Sequence, residues 1–81
     1  MRIQLPPGQY TQINTNEDDF LIQNVSEYSM YLIIADAQPG PNTDFDFIIE
    51  PKHGISSSHI IGKCWGKPEG RYEITAGLTE G

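Results

Sequence analysis

Two histidines and one cysteine are the side chains of this 81-residue sequence with the widest chemical range. His53 and His59 stand six positions apart, and Cys64 follows five later. Imidazole and thiolate could ligate a metal or pair as base and nucleophile. The spacing argues against both. On an extended strand, residues six apart share a side but lie about 20 Å from each other, whereas a site needs contact distances. Lys63 is the only cation beside Cys64, and an activated thiolate needs a base in an electropositive pocket. A small buried hydrophobe is the expected role for this cysteine. Glu17-Asp18-Asp19 and Asp44-Phe45-Asp46 gather carboxylates that calcium could use. Neither carries the central glycine and terminal glutamate of a calcium loop, so solvated acidic turns are expected. Asn24-Val25-Ser26 fits an N-glycosylation sequon, expected to be a chance match. Phosphate-cradling glycine loops and nucleophile elbows do not occur. The expectation is a protein without catalytic residues, cofactor or metal. An enzyme of cupin type would require histidines and a glutamate converging from neighbouring strands.

Aromatic residues offer binding chemistry instead. Tyr28, Tyr31 and Trp65 are the residues that, if exposed, would mark an interface or a sugar platform. Met30 to Ala35 is apolar on both faces of a strand. A two-layer sandwich buries one face of each strand, so the second face is expected to meet another subunit. The candidate interface is therefore Tyr28, Met30, Tyr31, Ile33 and Trp65.

The elements that must position these residues are strands. Arg2–Leu5, Gln9–Asn14, Phe20–Val25, Met30–Ala35, Phe47–Glu50, Ile55–Ile61, Lys63–Gly66 and Arg71–Ala76 alternate or run apolar over strand lengths. Eight glycines and six prolines fall largely between them. The longest loop runs from Asp36 to Asp46. No stretch holds helical periodicity for two turns. The expected fold is all-β: one domain over 1–81, a small antiparallel sandwich or jelly-roll-like barrel of about eight short strands. Its expected core is Ile3, Leu5, Tyr10, Ile13, Phe20, Ile22, Leu32, Ile34, Phe47, Ile49, Ile60, Trp65, Tyr72 and Ile74.

Composition narrows the partners. One cysteine forms no internal disulfide. The longest apolar run is far short of the roughly 20 residues of a membrane-spanning helix. Met1 to Pro7 carries no apolar signal core, and a reducing compartment is expected. The formal charge is −6. Residues 1–50 hold eight acids and one base, a net of −7, and residues 51–81 hold four bases and three acids, a net of +1. Such a balance repels phosphate, so neither nucleic acid nor a membrane surface is an expected partner. A domain this small buries little apolar area for the entropy it gives up. A partner subunit is the expected source of the missing stability.

The order of segments resembles a diffuse group of small proteins of tailed bacteriophages and prophages. It runs "PGQYTQIN", "FLIQNVSEYSMYLIIADAQPG", "FIIEPKHGISS", "KCWGKPEGRYEIT". The matching positions are Gln23, Asn24, Ser26, Tyr31, Leu32, Ile49, Pro51, Gly54, Ile55, Trp65, Gly66, Lys67 and Ile74, and Cys64 ahead of Trp65 is the departure. The resemblance implies a virion structural protein made in the host cytoplasm. It would be a small oligomeric β-domain, a trimer as first choice, binding the major capsid protein or another virion component. Decoration or cement, head-fibre, and tail or neck roles all fit that group. A carbohydrate- or host-receptor-binding module is the alternative expectation.

Overall fold

The computed structural model describes residues 1–81 and holds eight strands and no helix. They are β1 (Arg2–Leu5), β2 (Thr11–Gln12), β3 (Phe20–Asn24), β4 (Met30–Ile34), β5 (Phe47–Ile49), β6 (Gly54–Ser56), β7 (Cys64–Pro68) and β8 (Ile74–Glu80). One sheet has the order β1-β8-β3-β6 and the other β2-β7-β4-β5, antiparallel throughout. This is the eight-stranded jelly roll, with successive strands passing between the two sheets except for β4 and β5, which pair within one.

Period-two alternation makes the core. In β3, Phe20, Ile22 and Asn24 are buried while Leu21 and Gln23 are exposed. In β8, Ile74, Ala76 and Leu78 point inward. They meet Leu5, Ile13, Met30, Leu32, Ile49 and Cys64 between the sheets. Gly66 also points inward, and a Cβ there would stand 2.7 Å from Ile13 Cδ1 and 3.0 Å from Leu5 Cδ1. The missing side chain lets β1 and β7 approach.

The strands are short, and side chains finish what the backbone ladders leave open. Ile13 N–H donates to Cys64 O at 2.9 Å, continuing the β2–β7 ladder. The fully buried Asn14 then acts as the next peptide group. Its Oδ1 accepts from Cys64 N–H at 2.8 Å and its Nδ2 donates to Gly62 O at 3.0 Å. Asn24, also fully buried, donates to Tyr28 O at 2.7 Å and Ile49 O at 2.9 Å. Asp46 Oδ2 accepts from Ile34 N–H at 2.9 Å where β5 has not begun. Glu80 accepts from the N–H groups of Thr15 and Asn16. Each device satisfies a backbone group that would otherwise be left without a partner at a strand end.

Several sequence expectations need correction. Tyr72 is 62% exposed, because the last strand begins at Ile74 and runs on to Glu80, leaving Tyr72 in the turn. Phe47 lies at the edge of its sheet and is 36% exposed. The expected strand Ile55–Ile61 stops at Ser56, where a turn forms as His59 and Ile60 both donate to Ser56 O. Of the second expected strand, only Thr11–Gln12 is regular strand, with Ile13 adding one bond and the side chain of Asn14 another. Tyr10 and Trp65 lie outside the space between the sheets, on a face described next.

Candidate functional site

The residues with chemical range do not converge. His53 and His59 are exposed, and His59 Nδ1 lies 3.2 Å from its neighbour Ser58 Oγ. Cys64 is fully buried, and burial pushes its thiol up to about 11, the reverse of activation. No three His, Cys, Asp or Glu side chains are placed to hold one metal ion. The acidic run is organised as a turn, with Asp18 and Asp19 N–H groups donating to Asn16 Oδ1. In the sequon, Asn24 Nδ2 is buried and already donates two hydrogen bonds, so the folded chain cannot carry a glycan there. Ser26 N–H and Oγ instead bond Asn24 Oδ1, an Asx turn entering β4.

The aromatic residues do converge, on the outer face of the β2-β7-β4-β5 sheet. Register places Tyr31 opposite Lys67 and Ile48, and Ile33 opposite Trp65. Segment 35–46 folds back over this face, held largely by side chains reaching its carbonyls. Tyr10 Oη donates to Thr43 O at 3.2 Å, Trp65 Nε1 to Ala35 O at 2.8 Å, and Lys67 Nζ to Pro41 O at 2.7 Å. Gln38 Nε2 returns a bond to Tyr10 O at 2.8 Å. Phe45 stacks on Tyr31 with centroids 4.3 Å apart and rings 5° from parallel. Lys67 Nζ lies 5.2 Å from the Tyr10 centroid and 5.7 Å from that of Tyr31, within cation–π range. Burial raises the Tyr10 phenol above its ordinary value, with Tyr31, Asp46 and Asp44 adding to the effect.

This third layer corrects the proposed interface. Ile33 is only 5% exposed and Met30 not at all, Met30 lying between the sheets. Neither offers surface to a partner. The second apolar face of β4 is met in large part by the chain's own loop, so its two-faced character is no sign of a subunit contact. Tyr31 and Trp65 are half-buried beside that loop. Tyr28 is exposed and stacks on Tyr72 at 5.7 Å, at one end of the sandwich. A shallow cleft of about 220 Å³ remains at the loop margin, lined by residues including Tyr31, Asn42, Asp44, Phe45 and Lys67.

What stays uncovered is the β5 edge. Phe45, Phe47 and Ile48 are 41%, 36% and 48% exposed. Backbone parity shows which of their polar groups are free. Ala35 N–H bonds Lys63 O, and the same register makes Tyr31 and Ile33 direct their backbone groups to β7. Met30 and Leu32 therefore direct theirs to β5, where they face Ile49 and Phe47. Ile48, between those two, is left with its N–H and C=O pointing away from the sheet. The sequence places Phe47 in a strand and in the core and assigns Phe45 to no strand; the short strand, the open edge and the returning loop together leave both exposed.

Comparisons with protein-family models, with curated proteins and with solved structures find no significant match to this chain.

Proposed function

We propose that this chain is a structural protein of a tailed-phage or prophage virion. It binds the capsid or another virion component through an apolar surface and assembles as a homo-oligomer, a trimer as first choice. The observation that carries this reading is the exposed Phe45 and Ile48 beside Tyr31 on the outer face of an open sheet edge, with Phe47 exposed at the same edge on the opposite face. Monomeric proteins seldom leave apolar surface clustered on an open edge without a use. Jelly rolls serve as capsid and lectin domains, which supports the class by analogy only. The polar groups with catalytic range support it too, being spent on structure (Cys64) or dispersed at the surface (His53, His59). Binding would follow from removal of apolar area from water, at about 25 cal/mol per Å². The test is protein mass spectrometry of particles purified after induction of the native host. Presence at fixed stoichiometry supports the reading. Its absence from intact particles overturns it.

The cleft beside Tyr31, Asp44 and Lys67 favours a carbohydrate-binding module as second reading. It ranks lower because Tyr31 and Phe45 each give one ring face to the other, and the Trp65 N–H is held by Ala35 O. Glycan-array binding abolished by Phe45→Ala, with folding intact, would raise it.

A further inference from the structure

We infer that the β5 edge receives an extended segment of a different protein, one with an apolar residue at its centre and Lys or Arg two positions to either side. The inference rests on the proposed virion reading and names the chemistry of the partner. Three observations carry it. The N–H and C=O of Ile48 face outward, which is what a strand adding to a sheet requires. The Ile48 side chain is 48% exposed beside Tyr31, and Phe45, stacked on Tyr31, widens the apolar spot. Asp44, Asp46 and Glu50 bracket that spot, all exposed, in the half of the chain that carries −7. Among them only Asp46 has a bond from the backbone, to Ile34 N–H, and no ion pair neutralises any of the three.

The same charges decide against a second copy at this edge. Antiparallel self-pairing about Ile48 would set Asp46 and Glu50 of each chain against Glu50 and Asp46 of the other. Like charges directly opposite are destabilising in a sheet. A basic-flanked strand reverses both terms, so the partner is a segment of another chain. Homo-oligomer contacts belong elsewhere on the molecule.

Two peptides probe this directly, acetyl-Thr-Lys-Thr-Val-Thr-Lys-Thr-amide and its twin with Glu in place of both Lys. Binding to the full chain is followed by amide chemical shifts in low salt. The Lys peptide is expected to shift Phe45 and Phe47 to Glu50, and to bind about tenfold tighter than the Glu peptide. Ile48→Lys should abolish that preference, and Ile48→Thr, which keeps strand propensity, should weaken binding while retaining the fold. Equal response to both peptides, shifts centred away from β5, or self-association through β5 in the absence of peptide each overturn the inference. In purified particles, carbodiimide coupling of Asp44, Asp46 or Glu50 to a lysine of another protein supports it. A chain present in particles without such couplings overturns the inference and leaves the virion reading standing. A chain that prefers the Lys peptide but is absent from particles overturns the reading and leaves the edge chemistry standing.

Discussion

Replacing Asn14 by alanine removes a side chain that substitutes for a peptide group. The three bonds lost are Cys64 N–H to Oδ1 at 2.8 Å, Nδ2 to Gly62 O at 3.0 Å, and Nδ2 to Asn16 O at 3.3 Å. Cys64 is fully buried, so its N–H would have neither side chain nor water as partner. An orphaned buried donor costs about 1–3 kcal/mol, and a typical bond about 0.5–1.5 kcal/mol net. The bond to Asn16 is long and adds least. The expected loss is about 3 kcal/mol. For 81 residues, total stability is about 4–12 kcal/mol at the usual 0.05–0.15 kcal/mol per residue. The substitution therefore removes a quarter or more of what holds the fold. Urea unfolding of Asn14→Ala beside Gln12→Ala is the assay, with the exposed Gln12, which makes one bond to Asn14 O, as control. The control is expected to lose less than about 1 kcal/mol. Equal midpoints for the two variants would refute the idea that Asn14 completes the ladder.

Other outcomes follow from the same packing. Gly66→Val should cost about 1–3 kcal/mol of unfolding free energy in urea, because its β-carbon would stand 2.7 Å from Ile13 Cδ1; unchanged stability would show that the sheets can separate without cost. Cys64, with its thiol raised to about 11 by burial, should not react with thiol reagents at pH 8 until the chain unfolds. The raised value also means that Cys64 favours folding below its unfolded pKa of about 8.5, an advantage lost as pH rises toward 11. Glu80 is held below its ordinary value, first by the Asn16 N–H and then by Thr15. Its contribution is present above about pH 4.3, the unfolded value, and is lost as pH falls through the lower folded value, so Glu80→Gln should flatten that part of the acid stability curve.

Much of the fold was legible because sandwich strands announce themselves by alternation. Ile3-Gln4-Leu5, Phe20 to Asn24 and Ile74 to Ala76 place their apolar residues as the register does. The jelly-roll order was readable only as a class, since pairing between distant strands leaves no local mark. Edges were less legible: Tyr72 looked like a core residue because Ile74 and Ala76 continued its alternation, yet the turn intervened. The roles of Asn14, Asn24 and Asp46 were hidden, because nothing in a strand-terminal asparagine or aspartate says that its side chain will finish a ladder. β4 departs furthest from what its sequence alone implies. Both of its faces are apolar, but a loop of glycine, proline and acids gives no sign that it folds back to meet the second face. Phe45 was the available signal, an aromatic between two aspartates with no strand to belong to.

That returning loop and the edge it leaves open make a sharp contrast that amide hydrogen exchange can read. In the free chain, Ile33 N–H, bonded within the sheet and covered, should exchange slowly, and Ile48 N–H, facing outward, should exchange at near the unprotected rate. In the proposed virion assembly the Ile48 amide should become protected while Ile33 changes little. An Ile48 amide already protected in the free chain, or equally exposed in the assembly, would contradict the assignment of β5 as the docking edge.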